Sequence, residues 1–208
     1  PTLFYAQAGN KNLTWETNKK TDFGLNFGLF NDRITGELGY YKNNIDGLIL
    51  SVPQATSTGI PNSSILTNIG SMNNKGYEVT LNAKILSEGA FKWNASVNVT
   101  TQKNVVTALD ENNSDIIVAT SLEKTNIIRV GESIGNFFIV QTGGVNPANG
   151  RRIFYYGDGT AVQYDHSAPV ASRWTKVSDG SVTRAANQAV DAKVSGPALP
   201  TYFGGLSN

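Results

Sequence analysis

The chain has 208 residues, 39% of them hydrophobic, and its 17 Lys and Arg against 16 Asp and Glu leave a net charge of +1. That near-balance gives no sign of nucleic acid or another polyanion as partner, and the absence of cysteine excludes a disulfide framework and a thiolate metal site. No apolar run reaches the ~18 residues that a membrane-crossing helix needs, which says nothing against a β-barrel, whose spans alternate in polarity.

Residues 1–17 carry no clear period. A strand is expected from about 18 to 30, with Phe23, Leu25, Phe27 and Leu29 alternating against Asp22, Gly24, Asn26 and Gly28. Asn31-Asp32-Arg33 supplies turn chemistry. A second strand follows from 34, carrying Ile34, Gly36, Leu38 and Tyr40 opposite Thr35, Glu37, Gly39 and Tyr41, and continuing to about 50. Glycine weakens a strand and marks a bend or a close approach, so Gly24, Gly28, Gly36 and Gly39 fit a curved wall with a crowded interior. Residues 51–74, with Pro53 and Pro61, read as a long irregular link.

The clearest pattern is the hairpin over 75–86 and 91–104. Tyr77, Val79, Leu81, Ala83 and Ile85 alternate with Glu78, Thr80, Asn82 and Lys84. After Ser87-Glu88-Gly89-Ala90 the run Phe91, Trp93, Ala95, Val97 and Val99 alternates with Lys92, Asn94, Ser96, Asn98 and Thr100. Each arm has one apolar and one polar face and is close to the ~9–11 residues that a tilted strand needs to cross a bilayer. From 105 to 200 the pattern breaks into short pieces at Asp115–Ala119, Ile127–Val130, Phe137–Val140 and Ile153–Tyr156, with turn signals at Asn146–Gly150 and Gly157–Gly159 and a short helix within Ala185–Val194. A last strand is expected over 201–208. With no signal peptide at Pro1 and a strand just beginning at the end, the piece is expected to be cut at both ends.

The connections alternate between tight turns and long loops. In an up-and-down sheet that puts every tight turn at one rim and every long loop at the other, as in outer-membrane barrels. Phe27, Phe30, Phe91 and Trp93 at the tight-turn end, with Tyr40, Tyr41 and Tyr77 at the far end, are placed to form two interfacial aromatic girdles. A soluble β-sandwich carbohydrate-binding module also alternates along its strands, and charges on the polar faces do not separate the two; the loop asymmetry favours the barrel.

An enzyme is not expected, nor a cofactor or metal. His166 is the only histidine, too little for a catalytic triad or a histidine metal cluster. Asp110, Asn112 and Ser114 mimic the first ligands of an EF-hand without its glycine and terminal glutamate, and Gly143-Gly144 lacks the lysine of a phosphate loop. Of more interest are Phe154, Tyr155, Tyr156, Tyr164 and Trp174 with Arg151, Arg152 and Arg173, because aromatic and guanidinium groups stack on sugars and grip peptides. Loop packing or contact with a covering protein would use the same residues.

Several segments, taken in order, resemble the SusC/RagA family of TonB-dependent transporters. Asn12-Leu13-Thr14-Trp15-Glu16-Thr17 followed by Asp22–Phe30 is similar to the family's N-x-x-L-x-W-E segment and G-L-D-F-G-L-F-N-like strand, with Asn26 where Asp is common. Gly36–Tyr41, Asn68-Ile69-Gly70, Asn74–Glu78 and Phe91-Lys92-Trp93 continue the match. Val130–Phe138 resembles G-x-P-I-G-x-F-Y with Ser133 in place of proline, and Pro200 with Phe203–Asn208 resembles P-x-x-x-G-G-x-x-N. Over Ser172–Ser195 the family's D-R-x-x-x-G-N pattern is faint, at Asp191, Lys193 and Gly196.

The resemblance implies an all-β fold: an antiparallel transmembrane β-barrel portion from the C-terminal half of a plugged barrel of about 22 strands, with long extracellular loops and no plug domain in this piece. It implies a place in the outer membrane of a Gram-negative bacterium and import of oligosaccharides or oligopeptides. The implied partners are a SusD/RagB-like surface lipoprotein acting as a lid, TonB through a segment outside these residues, and outer-membrane lipid. Tyr155, Tyr156, Arg151, Arg152, Tyr164 and Trp174 are the candidate ligand or lid contacts.

Overall fold

The computed structural model describes residues 7–110, 112–119 and 124–208. Of the aperiodic opening stretch, residues 1–6 therefore lie outside the described residues. The strands in chain order are β1 (Thr17–Leu29), β2 (Ile34–Asp46), β3 (Ile49–Pro53), β4 (Ser64–Asn68), β5 (Ser71–Leu86), β6 (Trp93–Ala108), β7 (Ile116–Ala119), β8 (Lys124–Ile128), β9 (Asn136–Val140), β10 (Thr142–Val145), β11 (Arg152–Tyr155), β12 (Ala161–Tyr164), β13 (Trp174–Lys176), β14 (Ala192–Val194) and β15 (Tyr202–Ser207). One helical turn, α1 (Gln188–Asp191), precedes β14. The chain divides into two compact units, residues 1–116, 128–134 and 199–208 forming the first, and residues 117–127 and 135–198 the second.

The first unit is a five-stranded antiparallel sheet in the order β1-β2-β5-β6-β15. Its register turns the alternation of single strands into continuous rows. Leu25 pairs with Leu38, Leu38 with Val79, Val79 with Val99 and Val99 with Gly204. The next row reads Phe27, Gly36, Leu81, Val97 and Leu206 on that same face. The opposite face carries rows such as Asn26, Glu37, Thr80, Asn98 and Gly205. The apolar face is not covered: Phe23 is 69% exposed, Leu25 59% and Leu206 78%. From Tyr77 to Ile85 strand β5 advances about 27 Å at ~3.4 Å per residue, close to the ~25 Å apolar band of outer-membrane barrels.

One row closes that band with aromatics. Phe23, Tyr40, Tyr77 and Tyr202 stand in a line with Thr101 across all five strands, and the Tyr40 and Tyr77 rings lie 5.2 Å apart. Tyr41, expected in this girdle, faces the other way: it is in register with Gly76 on the polar face, where a Cβ on Gly76 would come within 2.6 Å of the Tyr41 hydroxyl. Adjacent strand residues point to opposite faces, so only one of the two tyrosines can join the belt.

The glycines meet the expectation of a crowded interior only in part: on the polar face a Cβ at Gly28 would collide with the Asp32 carboxylate and one at Gly39 would come within 3.5 Å of Glu78. Gly36 lies on the apolar face beneath the Phe27 ring, and Gly24 has open space around the position of a side chain.

Strand β2 ends at Asp46 rather than near residue 50. Gly47 adopts φ +68 and Leu48 donates its amide to the carbonyl of Gly70, turning the chain out of the sheet. Nor is 51–74 irregular throughout, because β3 pairs with β4 from Ile49↔Asn68 to Pro53↔Ser64. Asn68 anchors this hairpin: its Oδ1 accepts from the amide of Thr14 (2.7 Å), and its Nδ2 donates to the carbonyls of Thr14 and Gly47 (2.9 Å each). Glu16 Oε1 accepts from the amide of Ile49 at 2.7 Å.

The buried core of the unit sits at the long-loop end of β6, where Val106, Leu109, Ile116 and Ile128 pack with Leu50, Ile69, Val130 and Ile134. Past the end of β15, segment 131–134 takes over the free edge of β6. Val106 donates to the carbonyl of Glu132 and accepts from the amide of Gly131, while the Ile134 amide donates to Asn104 Oδ1.

The second unit contains two four-stranded sheets, ordered β10-β11-β12-β13 and β14-β9-β8-β7.

Candidate functional site

The candidate residues of the loop region gather on the β10-β11-β12-β13 sheet. Phe154 pairs with Val162, and Tyr164 with Trp174, which places all three aromatic side chains on one face. The Trp174 ring lies 5.3 Å from Phe154 and 5.1 Å from Tyr164, tilted on both. Such tilted pairs add to apolar burial through the ring quadrupoles. Val162 beneath them is fully buried, while the three rings stay half-buried. The arrangement is a half-buried aromatic ledge.

Arg151 and Arg152 take different roles. Arg151 pairs with Asp165 at 2.5 Å, fixing the end of β11 to the end of β12. The carboxyl of Asp165 is held below its ordinary value chiefly by the Ser167 hydroxyl and amide, with the Arg151 charge adding to this. Arg152 is exposed and makes no ion pair among the described residues, so its guanidinium is available on the face that carries Phe154. Arg173 donates its Nε to the carbonyl of Ala168.

Tyr155 and Tyr156 do not join the ledge. Tyr155 points to the other face and lies over Gly143, where a Cβ would meet its hydroxyl at 2.6 Å. Gly143 therefore serves as a seat for a ring, and the Gly143-Gly144 pair falls in and just after that contact on β10. Tyr156 is buried. Its hydroxyl donates to the carbonyl of Arg184 at 2.5 Å and contacts Thr183 Oγ1 at 2.9 Å, while the Arg184 guanidinium lies 3.8 Å above its ring.

Tyr156 belongs to a hub centred on Asp191. The Asp191 carboxylate is fully buried and accepts both arms of Arg184, at 2.5 and 2.6 Å. It also accepts the amides of Asn187 (2.8 Å) and Gly157 (3.0 Å). Arg184 is the first cause that holds this carboxyl well below the usual carboxylate range, and the two amides add to it. Asn187 caps α1 by accepting from the amide of Ala189.

Gln163 makes a second clamp: its Oε1 accepts from Asn146 Nδ2 and Asn149 Nδ2, closing the turn before β11. Neither Asp191 nor Gln163 stands out as a site residue in the sequence, where Asp191 is only a faint motif match. Their partners lie from 4 to 34 positions away along the chain.

The remaining sequence candidates have ordinary surroundings. Asp110 Oδ1 is occupied by the amides of Asn112 and Ser114, a local turn that lowers its carboxyl through the Ser114 amide first. His166 is an exposed turn residue. Among the described residues no three His, Asp or Glu side chains converge as metal ligands would.

Residues 1–199 match the family described as TonB dependent receptor-like, beta-barrel. The TonB-dependent receptor P3 of Formosa agariphila is 29% identical over 205 residues, covering 96% of this chain and 19% of its own length. The TonB-dependent receptor SusC of Bacteroides thetaiotaomicron is 34% identical over 155 residues, covering 71% of this chain and 15% of its own. A solved structure of the RagAB peptide transporter superposes on 96% of the chain and 20% of its own, with a TM-score of 0.69 at 23% identity, which is a likeness of fold. The chain thus spans less than a fifth of the length of the curated relatives it matches. An antiparallel sheet with an uncovered apolar face, long connections at one rim, and a family match over nearly all its length together place this chain in the TonB-dependent receptor β-barrel family.

Proposed function

We propose that this chain supplies barrel wall and outer loops to a TonB-dependent importer of the SusC/RagA type, in the outer membrane of a Gram-negative bacterium. The observation that carries the reading is the row structure of the β1-β2-β5-β6-β15 sheet: apolar residues in register across five strands, left exposed, and bounded by a line of aromatics. A soluble sandwich would bury that face against a second sheet. A lipid-facing wall leaves it bare and satisfies its backbone laterally.

The substrates are oligosaccharides or oligopeptides, taken up without chemistry on them. A SusD/RagB-like surface lipoprotein caps the barrel, and TonB engages a segment beyond these residues. Within the loop region the half-exposed rings of Phe154, Tyr164 and Trp174, with the exposed Arg152 on the same face, contact ligand or lid. Arg151, Tyr155 and Tyr156 hold that ledge in place. Likeness to SusC and to the RagAB peptide transporter supports this reading.

The test is genetic and biochemical. Deleting the full-length gene should abolish uptake of one labelled oligosaccharide or oligopeptide class, and loss of TonB should do the same. The protein should fractionate with the outer membrane and co-purify with a surface lipoprotein. Full uptake without TonB, or a protein that stays in the aqueous fraction, would overturn the proposal.

A further inference from the structure

The apolar face of the sheet changes character one row beyond the aromatic belt. Lys42 stands in register with Lys75, and Lys75 with Lys103. Because strands lie about 4.8 Å apart, the three side chains rise side by side within about 10 Å. Lys19, in register with Asn44, adds a cation one row further on the same face.

Like charges directly opposite each other across strands destabilise a sheet, and among the described residues no acid stands in or next to this row on the same face. None of the three lysines is in an ion pair among the described residues. The nearby acids Asp22, Glu37 and Glu78 stand in rows of the opposite face. Asp46 shares the face but lies two rows past Lys42. A depression of about 340 Å³ opens among the three lysines, with Tyr40, Asn73, Val105 and Thr107 completing its lining.

Position gives this cluster its meaning. It lies on the long-loop side of the Tyr40–Tyr77 belt, the outer side of such a barrel, at the depth where hydrocarbon gives way to headgroups. Free phosphate and a lipid phosphate offer the same charge. The lysine row, however, continues the same face that carries the Tyr40–Tyr77 belt and the apolar row Leu38, Val79 and Val99, so an occupant whose phosphate sits at the lysines can lay acyl chains along those rows, which free phosphate cannot. Lysine is a common phosphate binder, and clustered basic residues at a membrane surface draw anionic lipids.

We propose that Lys42, Lys75 and Lys103 form a binding site for the phosphate groups of a lipid headgroup in the outer leaflet. The inference rests on the reading of this sheet as barrel wall.

The test uses the full-length protein, extracted in non-ionic detergent and incubated with diphosphorylated lipid A, with its dephosphorylated form, or with inorganic phosphate, and read by native mass spectrometry. The wild type should retain the diphosphorylated lipid at least about five-fold better than the dephosphorylated one, and inorganic phosphate should not displace it. Combined Lys42→Gln, Lys75→Gln and Lys103→Gln should abolish the preference. The corresponding arginine substitutions should keep it, as should Lys84→Gln on the opposite face. Equal retention of both lipids by the wild type, displacement by inorganic phosphate alone, or an unchanged preference in the triple variant would overturn the inference. Should the triple variant not assemble, the wild-type comparison decides. A protein that needs no detergent would instead defeat the wall reading, so the two failures are distinguishable.

Discussion

Phe27 lies across Gly36. The two are register partners on β1 and β2, and a Cβ at residue 36 would collide with the Phe27 ring and come within 2.8 Å of Leu81 Cδ2. The missing side chain lets one aromatic cover its neighbouring strand, keeping the apolar face continuous without a bulge.

Gly36→Val should therefore destabilise the sheet by about 1–3 kcal/mol through overpacking. Gly24→Ala, with open space around it, should be neutral or slightly stabilising. Urea unfolding of the full-length protein in detergent micelles checks both. Equal effects at the two positions would contradict the packing described.

Asn68 holds three backbone groups from two separate segments. Asn68→Ala leaves those groups to water and should loosen the β3–β4 hairpin at a cost of about 1–3 kcal/mol. Faster hydrogen exchange at Thr14 should accompany it, while exchange within β5 and β6 stays unchanged.

The Asp191 hub sets an acid limit on the second unit. Its carboxyl titrates lower when folded than at the ordinary value of 3.8. It therefore contributes its full stability above that value and loses it as the pH falls through the folded value. Asp158, Asp165 and Asp179 are lowered as well, by hydrogen bonds from Thr160, Ser167 and Ser181 respectively, and act in the same direction. Protection at Gly157 and Asn187, taken relative to an unstructured amide at the same pH, should be flat between about pH 7 and 5 and fall below about pH 4. Asp191→Asn should lower it at neutral pH, with a loss on the order of 2 kcal/mol.

Arg152 and Trp174 separate contact from scaffolding. Arg152→Ala removes an exposed, unpaired guanidinium and should change stability by less than about 0.5 kcal/mol, while weakening binding of ligand or lid. Trp174→Ala removes the ring that bridges Phe154 and Tyr164 and should cost about 2–3 kcal/mol as well. Uptake and lid affinity unchanged by Arg152→Ala would remove that residue from the site.

What was legible in the sequence follows the range of the interactions. The alternation from Tyr77 to Ile85 needs only neighbours along the strand, so the hairpin and its apolar face could be read directly. Alternation alone already sets Tyr40 and Tyr41 on opposite faces; what could not be read was the register, which lines Tyr40 up with Phe23 and Tyr77 and puts Tyr41 over Gly76. The β3–β4 hairpin was hidden by Pro53 and Pro61, which break the period while leaving pairing intact at the ends. In the loop region Phe154, Tyr155, Tyr156, Tyr164 and Trp174 could be named as a set of aromatics, but the stacking of Trp174 on Phe154 and Tyr164 depends on cross-strand pairing. The burial of Tyr156 depends on Arg184 and Thr183, too distant for any local pattern. The lysine row was invisible for the same reason, since its members come from three strands.

In the proposed barrel wall Leu81 meets hydrocarbon while Asn82, the next residue, faces a wet interior. The most direct measurement compares Leu81→Arg with Asn82→Ser in the full-length protein, by equilibrium unfolding from lipid vesicles. Leu81→Arg should cost about 2–4 kcal/mol and Asn82→Ser, which can still bond to Ser96, less than about 1 kcal/mol. Equal tolerance at the two positions would contradict that placement.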